Sequence, residues 1–351
     1  MYGFLKQLQK RYRARAHSRW RGVPMTTHLA FIGVLSVLLI ATISVTAFST
    51  PHNQESKEEV AAVITPEATT TDSRLTSDHA KTVFNDIAIT GESAIVVDLI
   101  SGEVLFERNA DTIRPLASVT KLMTALVASE RLPKEAHVAI TQADLLPDGE
   151  SMLVPGDRWS LMELLSFTLI TSSNDGARVL ANAAGAVINT EHATSTDTEN
   201  VESFVEAMND KARLLNLANS TFRNDSGLDI SPSISGADGT ARDVAMLLGH
   251  IVSMNPSILE ATSKPTDTFA SDSGRAYAAD NTNTEIAHIP GLFASKTGYT
   301  DLAGGNLAVV VNMDVNRPVA IVVLGSTPTA RFADTEALSE ASRAYFRLRY
   351  P

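Results

Sequence analysis

Strand-like runs lie at both ends of the folded part of this chain, and a long helical stretch separates them. Two runs, 93–99 and 103–108, flank the turn residues Ser101 and Gly102 and predict a β-hairpin. Helical periodicity follows over 118–131, 160–171, 175–187, 202–215 and 240–253. Three more strand-like runs follow at 292–298, 306–313 and 319–326. A final amphipathic helix is predicted over 330–347. This order predicts one sheet built from both ends of the chain, with helices packed against it.

We therefore expect an α/β fold of the α+β type. It would hold a mainly antiparallel five-stranded sheet flanked by helices, with part of the helical stretch forming an inserted lobe. The predicted domain, 83–351, has about 270 residues, near the upper limit for one hydrophobic core. The chain has no cysteine, so this core must stabilise the fold without disulfides. A polar run, 189–201, interrupts the helical stretch and is interpreted as a surface loop.

The first 50 residues differ in charge from the rest of the chain. They contain seven basic side chains and no acidic one. Of the 29 basic residues in the whole chain, only 22 therefore lie beyond position 50, against 40 acidic residues. Because a body this acidic repels phosphate groups, the sequence argues against nucleic acid as a partner.

Residues 29–50 contain no charged side chain and are long enough to cross a bilayer as a helix. The basic segment before them, 1–28, is typical of a cytoplasmic flank, so we expect a signal anchor in the cell membrane with the domain outside. The alternative is a signal peptide cleaved after Ala47, which would release a secreted protein. The polar residues 51–82 are interpreted as a disordered linker.

Three short motifs contain the candidate functional residues: Ser118-Val119-Thr120-Lys121, Ser172-Ser173-Asn174 and Lys296-Thr297-Gly298. The first lies at a predicted helix start, the second in a turn between two predicted helices, and the third at the end of a predicted strand. Each is common by chance. Together and in this order they form the signature of serine enzymes that act on penicillin-like or D-alanyl substrates.

From about residue 83 to 351 the chain resembles the serine D-alanyl-D-alanine carboxypeptidases, which are low-molecular-mass penicillin-binding proteins. Besides the three motifs, the resemblance rests on IVVDLISGEVLFERNAD, VPGDRWSLMELLSFTLITSSNDGA, FRNDSGLD, TARDVAMLL and SKTGYTDLAGGNL. It implies a β-lactamase/transpeptidase-like fold that needs neither metal nor other cofactor. Many members carry a further β-rich domain and a C-terminal anchoring helix; here the span 29–50 is expected to replace that anchor.

The resemblance also implies the reaction. Ser118 would attack the carbonyl between the last two D-alanines of a peptidoglycan stem peptide and form an acyl-enzyme, which water then hydrolyses. β-Lactams would act as covalent inhibitors. Ser118 needs a neighbouring base, and an exposed lysine, with a pKa of about 10.4, is a poor one. Residues three apart share a helix face, so Lys121 would lie beside Ser118.

Three influences lower the pKa of an amine: burial, the positive end of a helix and a second cation. Lys121 lies at a predicted helix start, and Lys296 could supply the second cation. The resemblance assigns Ser172 to proton transfer between Lys121 and the leaving amine. Asn174 would hold the substrate amide and orient Lys121. The alternative for Ser172 and Asn174 is an ordinary helix N-cap.

The third motif implies a binding strand. Lys296 and Thr297 would bind the terminal carboxylate of the substrate, and Gly298 would allow close backbone approach because a side chain would block the cleft. The backbone N–H groups of Ser118 and Tyr299 would form the oxyanion hole. The ring of Tyr299 is expected to have no role beyond surface packing.

Three other functions remain open. A D,D-endopeptidase that cuts cross-linked peptidoglycan would use the same site. A class A β-lactamase shares the motifs but needs an added glutamate, and no Glu-x-x-Leu-Asn stretch lies between Asn174 and Lys296. A catalytically silent wall-binding protein would not need both Lys121 and Ser172.

Overall fold

The computed structural model describes residues 79–145, 153–189, 196–314 and 316–350. The predicted cytoplasmic segment, the predicted membrane span and nearly all of the predicted linker lie outside these residues. Across the described ranges, no single helix has the length and apolar composition needed to cross a membrane. The segments Ala241–Met254 and Pro256–Ser263, bent by 107°, reach that length and composition only as a pair.

The strands, labelled in chain order, are β1 (Ser93–Asp98), β2 (Val104–Arg108), β3 (Arg114–Pro115), β4 (His137–Ala139), β5 (Arg158–Ser160), β6 (Thr221–Phe222), β7 (Ala237–Gly239), β8 (Thr266–Ala270), β9 (Ala276–Asp280), β10 (Leu292–Thr300), β11 (Gly304–Asn312) and β12 (Pro318–Ser326). The α-helices are α1 (Lys121–Arg131), α2 (Leu161–Thr171), α3 (Asn174–Ile188), α4 (Asp197–Leu214), α5 (Ala241–Met254) and α6 (Ala330–Arg349). Short 3₁₀ segments lie at Thr82–Phe84, Ala117–Thr120, Gln142–Asp144, Pro256–Ser263 and Ile286–His288.

The predicted five-stranded sheet is confirmed. Its strand order is β10-β11-β12-β1-β2, and every neighbouring pair is antiparallel. The first strand of the domain pairs with the last, in a register that runs from Ser93 opposite Leu324 to Asp98 opposite Val319. The two ends of the folded chain are thus joined at the centre of the sheet.

Both faces of the central strands are covered, which explains why these strands read as continuous apolar runs. Along β11, Val310 faces the core shared with the helical region, whereas Val309 and Val311 face the core beneath α6. On the first face α5 packs against β1 and β12; on the second, α6 packs against β11 and β12. The side chains therefore alternate between two cores with the period of a β-strand.

The helical region lies on one side of the sheet, and side-chain oxygens cap several of its helices. Ser160 and Ser173 accept hydrogen bonds from the first turns of α2 and α3, and Thr240 does so at α5. Helices α3 and α4 pack very closely: a Cβ added at Gly185 would lie 1.9 Å from the carbonyl oxygen of Asn200.

The structure corrects three boundaries. The run 118–131 begins with a 3₁₀ turn, Ala117–Thr120, and the α-helix starts only at Lys121. The interpretation of 189–201 as a loop is wrong for its C-terminal part, because α4 begins at Asp197 behind a capping box formed by Thr196. Residues 190–195 of that run lie outside the described residues.

The third correction concerns the predicted linker, 51–82. Its last residues belong to the fold: Ala80 is buried in the core beneath α6, and Lys81 forms a 3.0 Å ion pair with Glu103.

The short strands β3 to β9, grouped in three small sheets, were also not predicted. Five of these seven strands have only two or three residues, too few to show a period.

Candidate active site

The candidate nucleophile lies in a 3₁₀ turn between the sheet and the helical region. Ser118 follows Ala117, whose φ of +47° is unfavourable for a residue with a side chain. The turn is held in place by Asn306 of β11, whose Nδ2 donates to the carbonyl oxygens of Pro115 and Leu116, both at 3.0 Å. Contacts from a distant strand therefore stabilise the strained backbone beside Ser118.

Lys121 is fully buried, with 0% of its surface exposed. Its Nζ lies 2.9 Å from Ser118 Oγ, 2.8 Å from Asn174 Oδ1 and 2.9 Å from the carbonyl oxygen of Ser226. The first two contacts join residues that the sequence analysis expected to meet. The carbonyl of Ser226, 105 positions away, has no sequence signal. Lys121 is therefore not an ordinary exposed helix residue.

Burial lowers the pKa of Lys121 to about 7, and the neighbouring Asp225 partly opposes this shift. Burial, rather than the expected second cation, is thus the main cause. A neutral amine has two N–H groups and one lone pair. Asn174 Oδ1 and the Ser226 carbonyl can only accept hydrogen bonds, whereas the Ser118 hydroxyl can also donate. The neutral amine therefore satisfies all three neighbours when its lone pair faces Ser118 Oγ.

Lys296 is the second buried lysine of the site. Its Nζ donates to Ser172 Oγ and to the carbonyl oxygen of Thr297, both at 2.8 Å. Burial lowers the pKa of Lys296 well below its usual value, and the charges of Lys121 and Arg331 lower it further. An anion bound beside Lys296 would favour its charged form and so oppose this lowering of the pKa.

Ser172 occupies the junction between α2 and α3 in a left-handed conformation, with φ of +60°. The hydrogen-bond partner of its side chain is Lys296; the expected contact with Lys121 is absent among the described residues. The predicted alternative of an N-cap is also wrong for Ser172 and Asn174, because Ser173 caps α3 by accepting from the Gly176 N–H at 2.9 Å.

Strand β10 brings the third motif beside the nucleophile. Thr297 Oγ1 lies 2.6 Å from Thr282 Oγ1. A Cβ added at Gly298 would lie 2.9 Å from the carbonyl oxygen of Leu116 and 3.2 Å from the backbone nitrogen of Ser118. The glycine is needed because the strand packs directly on the turn that holds Ser118, which differs from the predicted reason of an open cleft. The side chain of Tyr299 is 51% exposed.

Two charged groups of the site were missed by the sequence analysis. Arg331, near the start of α6, donates from Nη1 to the Gly298 carbonyl oxygen at 2.7 Å. Asp225 is buried close enough to Lys121 to alter its pKa. Neither lies in a motif with fixed spacing, although Asp225 falls within the FRNDSGLD stretch. Within the described ranges, no group of three or more His, Cys, Asp or Glu residues could hold a metal ion.

Comparison with known proteins identifies the family. A sequence model of D-alanyl-D-alanine carboxypeptidase, peptidase family S11, matches residues 79–328. The D-alanyl-D-alanine carboxypeptidase DacF of Bacillus subtilis is 28% identical over 268 residues, which cover 74% of this chain and 64% of that protein. The match thus spans slightly under two thirds of the length of DacF.

An endopeptidase and a solved structure are also similar. The D-alanyl-D-alanine endopeptidase of Escherichia coli is 30% identical over 270 residues, covering 74% of this chain and 79% of that protein. Penicillin-binding protein D2 from Listeria monocytogenes, solved in its cefotaxime-bound form, is 30% identical and superposes with a TM-score of 0.60. The superposition covers 73% of this chain and 98% of that one. These findings confirm the predicted fold class, and this chain belongs to the D-alanyl-D-alanine carboxypeptidase family, peptidase family S11.

Proposed function

We propose that this protein is a serine D,D-carboxypeptidase that removes the terminal D-alanine from peptidoglycan stem peptides through an acyl-enzyme on Ser118. One observation carries the proposal: of the three groups that contact the buried Lys121 amine, only the Ser118 hydroxyl can give up a proton. A base with a pKa of about 7 suits proton transfer at neutral pH.

In the acylation step, Lys121 takes the hydroxyl proton while Ser118 Oγ forms a bond to the carbonyl carbon of the penultimate D-alanine. The backbone N–H groups of Ser118 and Tyr299 are the proposed donors to the oxyanion. The bond to the terminal D-alanine then breaks, and its amine needs the proton held by Lys121. Ser172 is the proposed carrier: it gives its hydroxyl hydrogen to the leaving amine and receives the proton of Lys121 in exchange, while Lys296 donates to its Oγ. This exchange requires Lys121 and Ser172 to come into contact in the substrate complex.

In the deacylation step, water attacks the acyl carbon and gives a proton to Lys121, and Ser118 Oγ leaves and recovers that proton. Asn174 is the proposed partner of the substrate amide and also keeps Lys121 oriented. Residues of this chain can thus supply every proton transfer of the cycle.

Substrate recognition is proposed to use the edge of the sheet. Strand β10 is the outermost strand, so an extended peptide can add to it as a further strand. Lys296 and Thr297 are the proposed partners of the terminal carboxylate, and Arg331 adds positive charge at the same end of the cleft. A β-lactam carries a comparable carboxylate, and the Listeria monocytogenes relative was solved with cefotaxime bound. We therefore expect penicillins to acylate Ser118.

Fluorescent penicillin tests the nucleophile on the full-length protein in detergent. The native protein should give a covalent band, Ser118→Ala should give none, and the matched variant Ser129→Ala on α1 should label normally. Labelling that persists in Ser118→Ala would show that the nucleophile is misassigned. An unlabelled native protein would favour the silent wall-binding function, and rapid release of the hydrolysed drug would favour a β-lactamase.

A second candidate function is D,D-endopeptidase activity, which the similarity to the Escherichia coli endopeptidase favours. Two substrates separate the activities. A stem pentapeptide ending in D-Ala-D-Ala reports carboxypeptidase activity through free D-alanine. A cross-linked muropeptide dimer reports endopeptidase activity through its conversion to monomers. We expect the first reaction to be faster.

We further propose that residues 29–50 anchor the protein in the cell membrane, with the domain on the outer side. Seven basic residues precede this uncharged span, and the proposed substrate lies outside the membrane. The test is fractionation of whole cells with and without external protease. Membrane-bound protein that is digested from outside supports the anchor, whereas soluble protein starting near Phe48 supports cleavage of a signal peptide.

A further inference from the structure

A buried carboxylate lies behind the Lys121 amine, and the proposed reaction does not use it. Asp225 has 0% of its surface exposed and immediately precedes Ser226, whose carbonyl oxygen accepts from Lys121. Its own carbonyl oxygen accepts a 2.6 Å hydrogen bond from Thr124 Oγ1, one turn along α1 from Lys121. Two successive carbonyls thus fix this loop to the helix that carries the base.

Asp225 forms an ion pair with Arg178. Arg178 Nη2 lies 3.4 Å from Asp225 Oδ1. Arg178 is four residues after Asn174 on α3, so the two side chains project from the same helix face. Among the described residues, neither carboxylate oxygen of Asp225 has a hydrogen-bond partner. A buried carboxylate in this state is costly, and Arg178 is its principal compensation.

The electrostatic surroundings of Asp225 agree with this geometry. Burial raises the pKa of Asp225, and the charge of Arg178 is the strongest opposing influence. Lys121 also lowers this pKa, and Asp144 raises it. Removing Arg178 would therefore let Asp225 keep its proton at higher pH.

The two buried lysines of the site show what Asp225 contributes. Both Lys121 and Lys296 are fully buried, which lowers the pKa of each. Lys121 and Arg331 lower the pKa of Lys296 further. Asp225 has the opposite effect on Lys121, because its charge opposes the lowering that burial causes. An amine with a much lower pKa would accept the Ser118 proton poorly, because a general base works best near the working pH.

We propose that Asp225 and Arg178 form a buried positioning pair that keeps Lys121 basic enough to deprotonate Ser118, with Arg178 keeping Asp225 ionised. Neither residue touches the substrate or the reacting atoms. This inference rests on the proposed function, since it assumes that Lys121 is the base in acylation.

The test is the pH dependence of acylation by fluorescent penicillin, measured as a second-order rate constant on the full-length protein. Asp225→Asn removes the charge at nearly constant volume. It should shift the acidic limb of the pH–rate profile to lower pH by about one unit, because the pKa of Lys121 falls. Arg178→Met should move the limb in the same direction, because Asp225 then holds its own proton. The matched variant Arg178→Lys keeps the cation and should retain the native limb.

The double variant Asp225→Asn/Arg178→Met distinguishes this mechanism from a structural defect. It should show the same shift as Asp225→Asn alone, because Arg178 acts only through the carboxylate. The inference is overturned if a folded Asp225→Asn protein keeps the native limb, if its limb moves to higher pH, or if the two shifts add. If Asp225→Asn does not fold, the contrast between Arg178→Met and Arg178→Lys decides. A native protein that is never acylated refutes the proposed function itself, and this inference with it.

Discussion

Replacing Lys121 by methionine should change how the stability of this protein depends on pH. In the native fold the pKa of Lys121 is about 7, against 10.5 for an exposed lysine. The unfolded chain therefore binds more protons than the folded protein between these two values, so stability rises with pH across this window and falls as pH drops toward 7. Methionine fills a similar volume and cannot titrate, so Lys121→Met should lack this dependence.

The size of the effect follows from the displacement of the pKa. A shift of about 3.5 units corresponds to about 5 kcal/mol between the two ends of the window. Between pH 6 and pH 9 roughly half of this should be recovered, so the native protein should gain about 2.5 kcal/mol of unfolding free energy relative to Lys121→Met. Methionine also removes the three hydrogen bonds of the amine, which changes the unfolding free energy at every pH. The difference between native protein and Lys121→Met should therefore be compared between two pH values rather than measured at one.

Urea unfolding followed by circular dichroism at pH 6 and pH 9 measures this difference. The control is Lys134→Met, which makes the same substitution at an exposed position. The reasoning is refuted if Lys121→Met and the native protein keep a constant difference across the range, because Lys121 would then titrate as it does in the unfolded chain. Acylation by penicillin should be lost in Lys121→Met at both pH values.

Other consequences follow from contacts around the site and between helices. Gly298→Ala places a Cβ 2.9 Å from the Leu116 carbonyl oxygen and should slow acylation about 10- to 100-fold and lower thermal stability as well, since it displaces the nucleophile turn. Arg331→Gln should slow acylation by a penicillin about tenfold, and slow the reaction of its carboxylate methyl ester much less; equal effects on both would exclude carboxylate binding. Gly185→Ala should destabilise the protein by about 2 kcal/mol in thermal unfolding, because its Cβ would lie 1.9 Å from the Asn200 carbonyl oxygen; the usual gain for Gly→Ala in a helix would contradict this packing.

Local periodicity was sufficient for the larger elements. The runs 306–313 and 319–326 are apolar over most of their length and became the central strands β11 and β12, since both of their faces are buried. The start of α4 was missed because its first turn, at Asp197, is polar and reads as loop. Its capping residues, Thr196 and Glu199, were the signal that could have located it.

The sequence by itself determined the family, the order of the main-sheet strands and the α-helices, and the three motifs, because these depend on residue types at short and regular spacing. Only the tertiary structure decided how the site is connected. It paired Lys296 with Ser172 across 124 positions, and it buried Lys121 completely. It also placed Asp225 behind that amine, where no motif predicts a charge. The basicity of an amine depends on lost water and on charges a few ångströms away, and these distances exist only once the chain has folded.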